Sequence, residues 1–185
     1  MGIIMKISSR IHGLTILISG LFFTQIAIAH ITLDQPSGTA GTYQKLTFKV
    51  GHGCDGNATN LIKISIPENV AGAKPMPKAG WQLSTKIENL TAPTTSHGKT
   101  ISSDVREITW AGGLLPDAYY DEFSIHVKLP DAPGKLYFKV TQQCEKGSME
   151  WGQVPQEGQS KNDLKFPAPG MDIVPATEHE HMHQH

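Results

Sequence analysis

His30 follows directly on Ala27-Ile28-Ala29, and cleavage after Ala29 would leave a chain that begins with histidine. An N-terminal histidine offers two nitrogens from one residue, the α-amine and imidazole Nδ1, which together close a chelate around a single metal ion. Amine and imidazole nitrogens suit Cu(II) in tetragonal geometry, and copper heads the affinity order of the divalent first-row metals. The amine titrates at roughly 7.7–8.0, so a metal displaces its proton easily near neutrality. A second concentration of donors closes the sequence, where Glu178, His179, Glu180, His181, Met182, His183 and His185 crowd into eight residues. His-rich tracts bind metal, with imidazole suited to Cu(II) and thioether to Cu(I). The Glu, Met and Gln between its histidines set this tract apart from an unbroken purification tag.

The segment ahead of His30 has the parts of a secretory leader: Lys6 and Arg10, an apolar run from Leu14 to Ala27, and a small-x-small cleavage site. The run falls short of the ~20 apolar residues that a spanning helix needs, so residues 1–29 are expected to be cleaved rather than to anchor the chain. No second apolar run of that length follows, and no membrane span is expected after cleavage. Of 185 residues, 156 then remain, enough for one domain with its own core. Lys6 and Arg10 leave with the leader, so 16 basic residues become 14 against 17 acidic ones, a net charge of −3. That balance argues against nucleic acid as a partner. The two cysteines, Cys54 and Cys144, both lie in the exported part, where an even count predicts a disulfide. A copper(I) thiolate pair would call for C-x-x-C or histidine-flanked spacing, which neither cysteine has.

The elements that must position these residues are short, β-branched or aromatic, and divided by turn residues, with almost no helical periodicity. Strands are expected from His30 to Leu33, Thr42 to Val50, Asn60 to Ile66, Trp81 to Ile87, Val105 to Trp110, Glu122 to Leu129 and Leu136 to Gln143, with a turn from Gly38 to Gly41. Seven or eight such strands predict a single all-β sandwich. Leu90 to Ser103 is expected to be an exposed hairpin loop. In the strand opened by Glu122, alternation places Phe123, Ile125 and Val127 inward and Glu122, Ser124 and His126 outward. Trp81 and Trp110 are expected in the core. His52 and Asp55 flank Cys54 in a Gly-rich loop whose expected task is a tight bend. The domain is expected to span 30–167, with a flexible Pro/His-rich tail over 168–185 that has no apolar face to bury.

Several motifs then combine: His30-Ile31-Thr32-Leu33 with Pro36 and Ala40-Gly41, Gly51-His52-Gly53-Cys54-Asp55-Gly56, Ile66-Pro67-Glu68-Asn69-Val70, Ala73-Lys74-Pro75-Met76-Pro77-Lys78 and Gly80-Trp81. Ile108-Thr109-Trp110, Leu115-Pro116-Asp117, Tyr120-Asp121-Glu122-Phe123 and Gln143-Cys144-Glu145-Lys146-Gly147 with Trp151 complete the set. Across about residues 30–155 the chain resembles the YcnI-like domain of bacterial exported proteins. The resemblance implies an immunoglobulin- or cupredoxin-like β-sandwich that binds one Cu(II) per domain through a single-histidine brace at the processed N-terminus. An acidic side chain and a nearby tryptophan complete that site. His30 matches the brace histidine, Trp151 the tryptophan, and either Glu122 or Asp121 the acidic partner, while Cys54 and Cys144 look like the family's disulfide-bearing variant.

The function expected on this basis is non-enzymatic copper binding in the periplasm or cell envelope, in trafficking or homeostasis. Its partners would be other copper-trafficking or copper-requiring envelope proteins, and the tail residues His179, His181, Met182, His183 and His185 would take additional copper. One alternative is a copper monooxygenase resembling lytic polysaccharide monooxygenases, which complete their brace with a second histidine. The in-domain candidates for that histidine are His52, His97 and His126, none in a matching context. Another is an interaction sandwich with no use for metal. Scattered Ser, His and Asp residues without a strand-turn-helix nucleophile context do not point to a hydrolase.

Overall fold

The computed structural model describes residues 30–96 and 98–176, together with Gly2. The leader, His97 and the tail residues His179, His181, Met182, His183 and His185 lie outside the described residues. Apolar side chains at alternate positions, such as Leu46, Phe48 and Val50 or Phe123, Ile125 and Val127, sort the chain into strands with one face on a common core. Strands β1 (Thr32–Leu33), β3 (Tyr43–Val50), β8 (Asp121–Lys128) and β5 (Ala71–Pro75) form one sheet in the order β1-β3-β8-β5. The second sheet runs β11 (Ser148–Trp151), β10 (Lys139–Cys144), β4 (Thr59–Ser65), β7 (Lys99–Leu115) and β6 (Gln82–Ser96). Trp110 of β7 meets Phe123 of β8 across the interior at 5.5 Å between ring centroids, and Phe48 of β3 meets Phe138 at 5.3 Å. The two sheets therefore pack face to face as a β-sandwich, with no α-helix among the described residues.

A third, smaller sheet closes one end: β2 (Ser37–Thr39) and β9 (Gly134–Tyr137) flank β12 (Gly170–Val174), which runs parallel to β2 and antiparallel to β9. This corrects the boundary expected at residue 167, since β12 belongs to the fold rather than to a flexible tail. Met171 and Ile173 alternate inward and are buried, and at Gly170 a Cβ would come within 2.5 Å of the Tyr137 ring, so the glycine lets the strand lie against β9. The flanking prolines and polar residues hide this five-residue apolar alternation in the sequence.

The stretch 90–103 is also not a loop. It is the outer half of the β6–β7 hairpin, paired as far as Ser96 and Lys99. Its Thr and Ser residues read as turn formers, yet threonine is equally at home in a strand. Smaller differences have the same origin. The strand expected at 136–143 is two strands that part company at Phe138, residues 37–39 pair with β12 before the turn, and β1 begins at Thr32 rather than His30. Trp110 is fully buried as expected, and Trp81 packs partly buried on Phe123 at 5.0 Å.

Candidate metal centre

His30 precedes β1 by two residues, and the next four residues of the chain hold it in place. Ile31 is inserted in the core at 2% exposure, Thr32 and Leu33 pair with Lys49 and Phe48, and the Asp34 amide donates to Thr47 O at 2.9 Å. The His30 ring lies edge-on to the indole of Trp151, with centroids 5.9 Å apart. Burial first, then the charges of Lys161 and His52, pull its pKa below the ordinary histidine value. A neutral imidazole is the form that binds metal. A cleft of about 300 Å³ opens beside it, lined also by Tyr137, Lys161 and Met171.

Trp151 ends β11 opposite Val140 and is fully buried. Its Nε1 donates to Gln142 Oε1 at 3.0 Å, and Gln142 Nε2 donates in turn to His52 O at 2.7 Å and Thr59 Oγ1 at 2.8 Å. One buried amide thus ties the indole to the backbone of His52. The ring of His52 stands on the same indole, 6.3 Å away and also edge-on. Two imidazoles therefore flank one tryptophan.

The loop that carries His52 is fastened on all sides. The Gly53 amide donates to Asp117 Oδ1 at 2.8 Å, and Cys54 is bridged to Cys144 at the end of β10 with Cα atoms 5.9 Å apart. A Cβ at Gly53 would sit 1.8 Å from Asn57 O, so only glycine permits the tight Cys54–Asn57 turn. His52 Nδ1 is hydrogen-bonded to Gly53 O. A carbonyl oxygen only accepts, so Nδ1 carries the proton and Nε2 is left with its lone pair. That Nε2 is buried and has no hydrogen-bond partner.

The acidic candidates are placed elsewhere. Asp121 Oδ1 accepts from Lys78 Nζ at 2.6 Å and from the Glu122 amide at 2.8 Å. Glu122 pairs with Lys49, which pairs on its other side with Thr32, so it lies on the outer face two strand spacings, about 10 Å, from β1. His126 is exposed on the outer face and stacks on Tyr43 at 5.7 Å, as a surface histidine does. Asp55 is exposed at the turn with φ +48°. Among the described residues, no three His, Cys, Asp or Glu side chains converge to hold a metal ion.

The family model described as a domain of unknown function, DUF1775, matches residues 30–173. The chain belongs to the DUF1775 family. This is the YcnI family, so the likeness carried by the separate motifs extends over the whole sandwich, β12 included. A curated relative, copper-binding protein CutI of Bacillus subtilis (strain 168), is 26% identical over 134 residues, 71% of this chain and 59% of its own. The chain thus spans about three-fifths of that relative's length. An uncharacterised protein of Nocardia farcinica, whose crystal structure shows an immunoglobulin-like fold, superposes with a TM-score of 0.60 at 23% identity. The match covers 78% of this chain and 98% of that one.

Within this DUF1775 domain, the sequence points to His30 and Trp151, whose rings the structure brings together, but not to the groups that surround them. Gln142, Asp117 and Lys161 come from three separate segments, and no local spacing marks a side chain whose partners are tertiary.

Proposed function

We propose that the protein binds copper in the periplasm or cell envelope, holding one Cu(II) at the amine and ring of His30 once the leader has been removed. The observation that carries this reading is the pairing of His30 with buried Trp151: an imidazole held neutral, fixed by a core anchor and set on an aromatic wall. Support comes also from the family match, which begins at His30 itself, and from a relative that bears the name of a copper-binding protein. Nitrogen donors fit Cu(II). The role is carriage, with copper passed to or from other copper-trafficking or copper-requiring envelope proteins. The tail residues His179, His181, Met182, His183 and His185 supply further, weaker sites.

The test is a copper titration of protein processed to start at His30, set against the same protein with its α-amine acetylated. The processed form is expected to bind one Cu(II) tightly and the acetylated form to lose that site, because an amide nitrogen has replaced the amine. Equal tight binding by both would sink the proposal.

Acid is expected to release the metal in two stages. Between about pH 8 and pH 6.5 only the α-amine proton competes, so the logarithm of affinity falls by about one per pH unit. Because the folded protein holds the His30 proton less firmly than an ordinary histidine, the ring joins the competition only below about pH 6.5, where the slope steepens. Competition titrations across this range check it. A slope of two already at pH 7.5 would show that the bound ring is not the depressed one.

The second histidine beside His30 also favours one other reading, an oxidative copper enzyme. Peroxide-driven release of oxidised sugars from a polysaccharide would decide for it.

A further inference from the structure

The least explained atom near His30 is His52 Nε2, which is buried and has no hydrogen-bond partner. An unpaired polar nitrogen in such a place is unfavourable, and everything around it holds it there rather than relieving it. The disulfide and the Asp117 carboxylate pin the loop, Gln142 donates to the His52 carbonyl, and the Gly53 carbonyl accepts a hydrogen bond from Nδ1. That last bond is the one that metal-binding histidines usually make: the far ring nitrogen donates to a backbone carbonyl, which sets the tautomer and aims the lone pair. The rings of His30 and His52 both stand edge-on to the Trp151 indole, with centroids 5.9 and 6.3 Å from it.

We infer that His52 Nε2 is a second imidazole ligand of the copper held at His30, in the role that the family resemblance gave to Asp121 or Glu122. The inference rests on the copper reading above and deepens it. Asp121 is engaged by Lys78 and Glu122 stands on the outer sheet face, so neither supplies what His52 offers without any rearrangement of a strand. The donor set becomes one amine and two imidazoles, all nitrogen. The buried Trp151 indole beside both rings keeps water from one side, and Gln142 holds the wall and the ligand loop in register.

The test uses the complete chain processed to His30, loaded with one equivalent of Cu(II), and pulsed EPR to count coordinated imidazoles through their remote nitrogens. Two are expected in the wild type and one in His52→Ala, with affinity for the first copper reduced at least about tenfold. The apo His52→Ala protein should melt at or above the wild-type temperature, because the orphaned nitrogen has gone. A wild-type spectrum with one imidazole overturns the inference while leaving the His30 site standing. Two imidazoles that persist in His52→Ala overturn it as well, since the second must then come from another histidine. Should His52→Ala fail to fold, the wild-type count alone still decides. If the wild type binds no copper tightly, or binds it equally with its α-amine acetylated, it is the underlying copper reading that has failed.

Discussion

Replacing Cys54 and Cys144 together by alanine is expected to lower the stability of the metal-free protein by roughly 2–5 kcal/mol. The bridge joins residues 90 apart in sequence, so the reduced unfolded chain gains freedom over half its length, worth at most about 4–5 kcal/mol in the chain-entropy account. Both half-cystines are buried at 3% exposure, and their loss also thins the packing under the His52 loop. Alanine rather than serine keeps hydroxyls out of that apolar place. Urea unfolding with the slope checked for constancy measures the difference. An unchanged midpoint would mean that the bridge is not formed in the protein as purified.

Trp151→Ala is expected to cost about 3–5 kcal/mol, at the upper end for a single truncation. The indole is fully buried, touches Phe166 edge-on at 5.5 Å, and lies beneath both His30 and His52. Its removal opens a cavity and leaves Gln142 Oε1, itself buried, without the proton it accepts. Trp151→Phe separates the two effects: it keeps most of the volume and loses only the hydrogen bond, for about 1–3 kcal/mol. Chemical denaturation of both variants at one temperature is the measurement. If Trp151→Ala unfolds within about 1 kcal/mol of wild type, the Gln142 network does not hold the structure together.

The features that could be read from the sequence were those that one segment states by itself. Alternation gave Phe123, Ile125 and Val127 their inward face, and the two cysteines paired as an even count predicts. The sequence drew attention to His30 and Trp151 because both sit in family motifs, and the structure brings their rings together. β12 escaped because prolines and polar residues surround five residues whose partners, β2 and β9, lie far away in the chain. The surroundings of His52 escaped for a related reason. Whether a histidine in a Gly-rich loop is merely part of a bend depends on where its ring nitrogens point. That depends on Gln142, Asp117 and the bridge, none of which is near it in sequence except Cys54.

The β6–β7 hairpin has an effect beyond holding up one side of the sandwich. β6 is the edge of its sheet and is 15 residues long, the kind of rim on which a foreign strand can seat and aggregation can begin. Its register with β7 breaks between Lys86 and Ile87 and again between Asn89 and Thr94, and Pro93 offers no amide proton within the second break. Gln82–Lys86, Ile87–Asn89 and Thr94–Ser96 are thereby turned into separate short runs. Charged Lys86 and Glu88 stand beside the first break and pair with each other at 2.7 Å. An incoming chain would have to track each bulge and bury that ion pair, so the arm can extend from the sandwich without serving as a template for its neighbours.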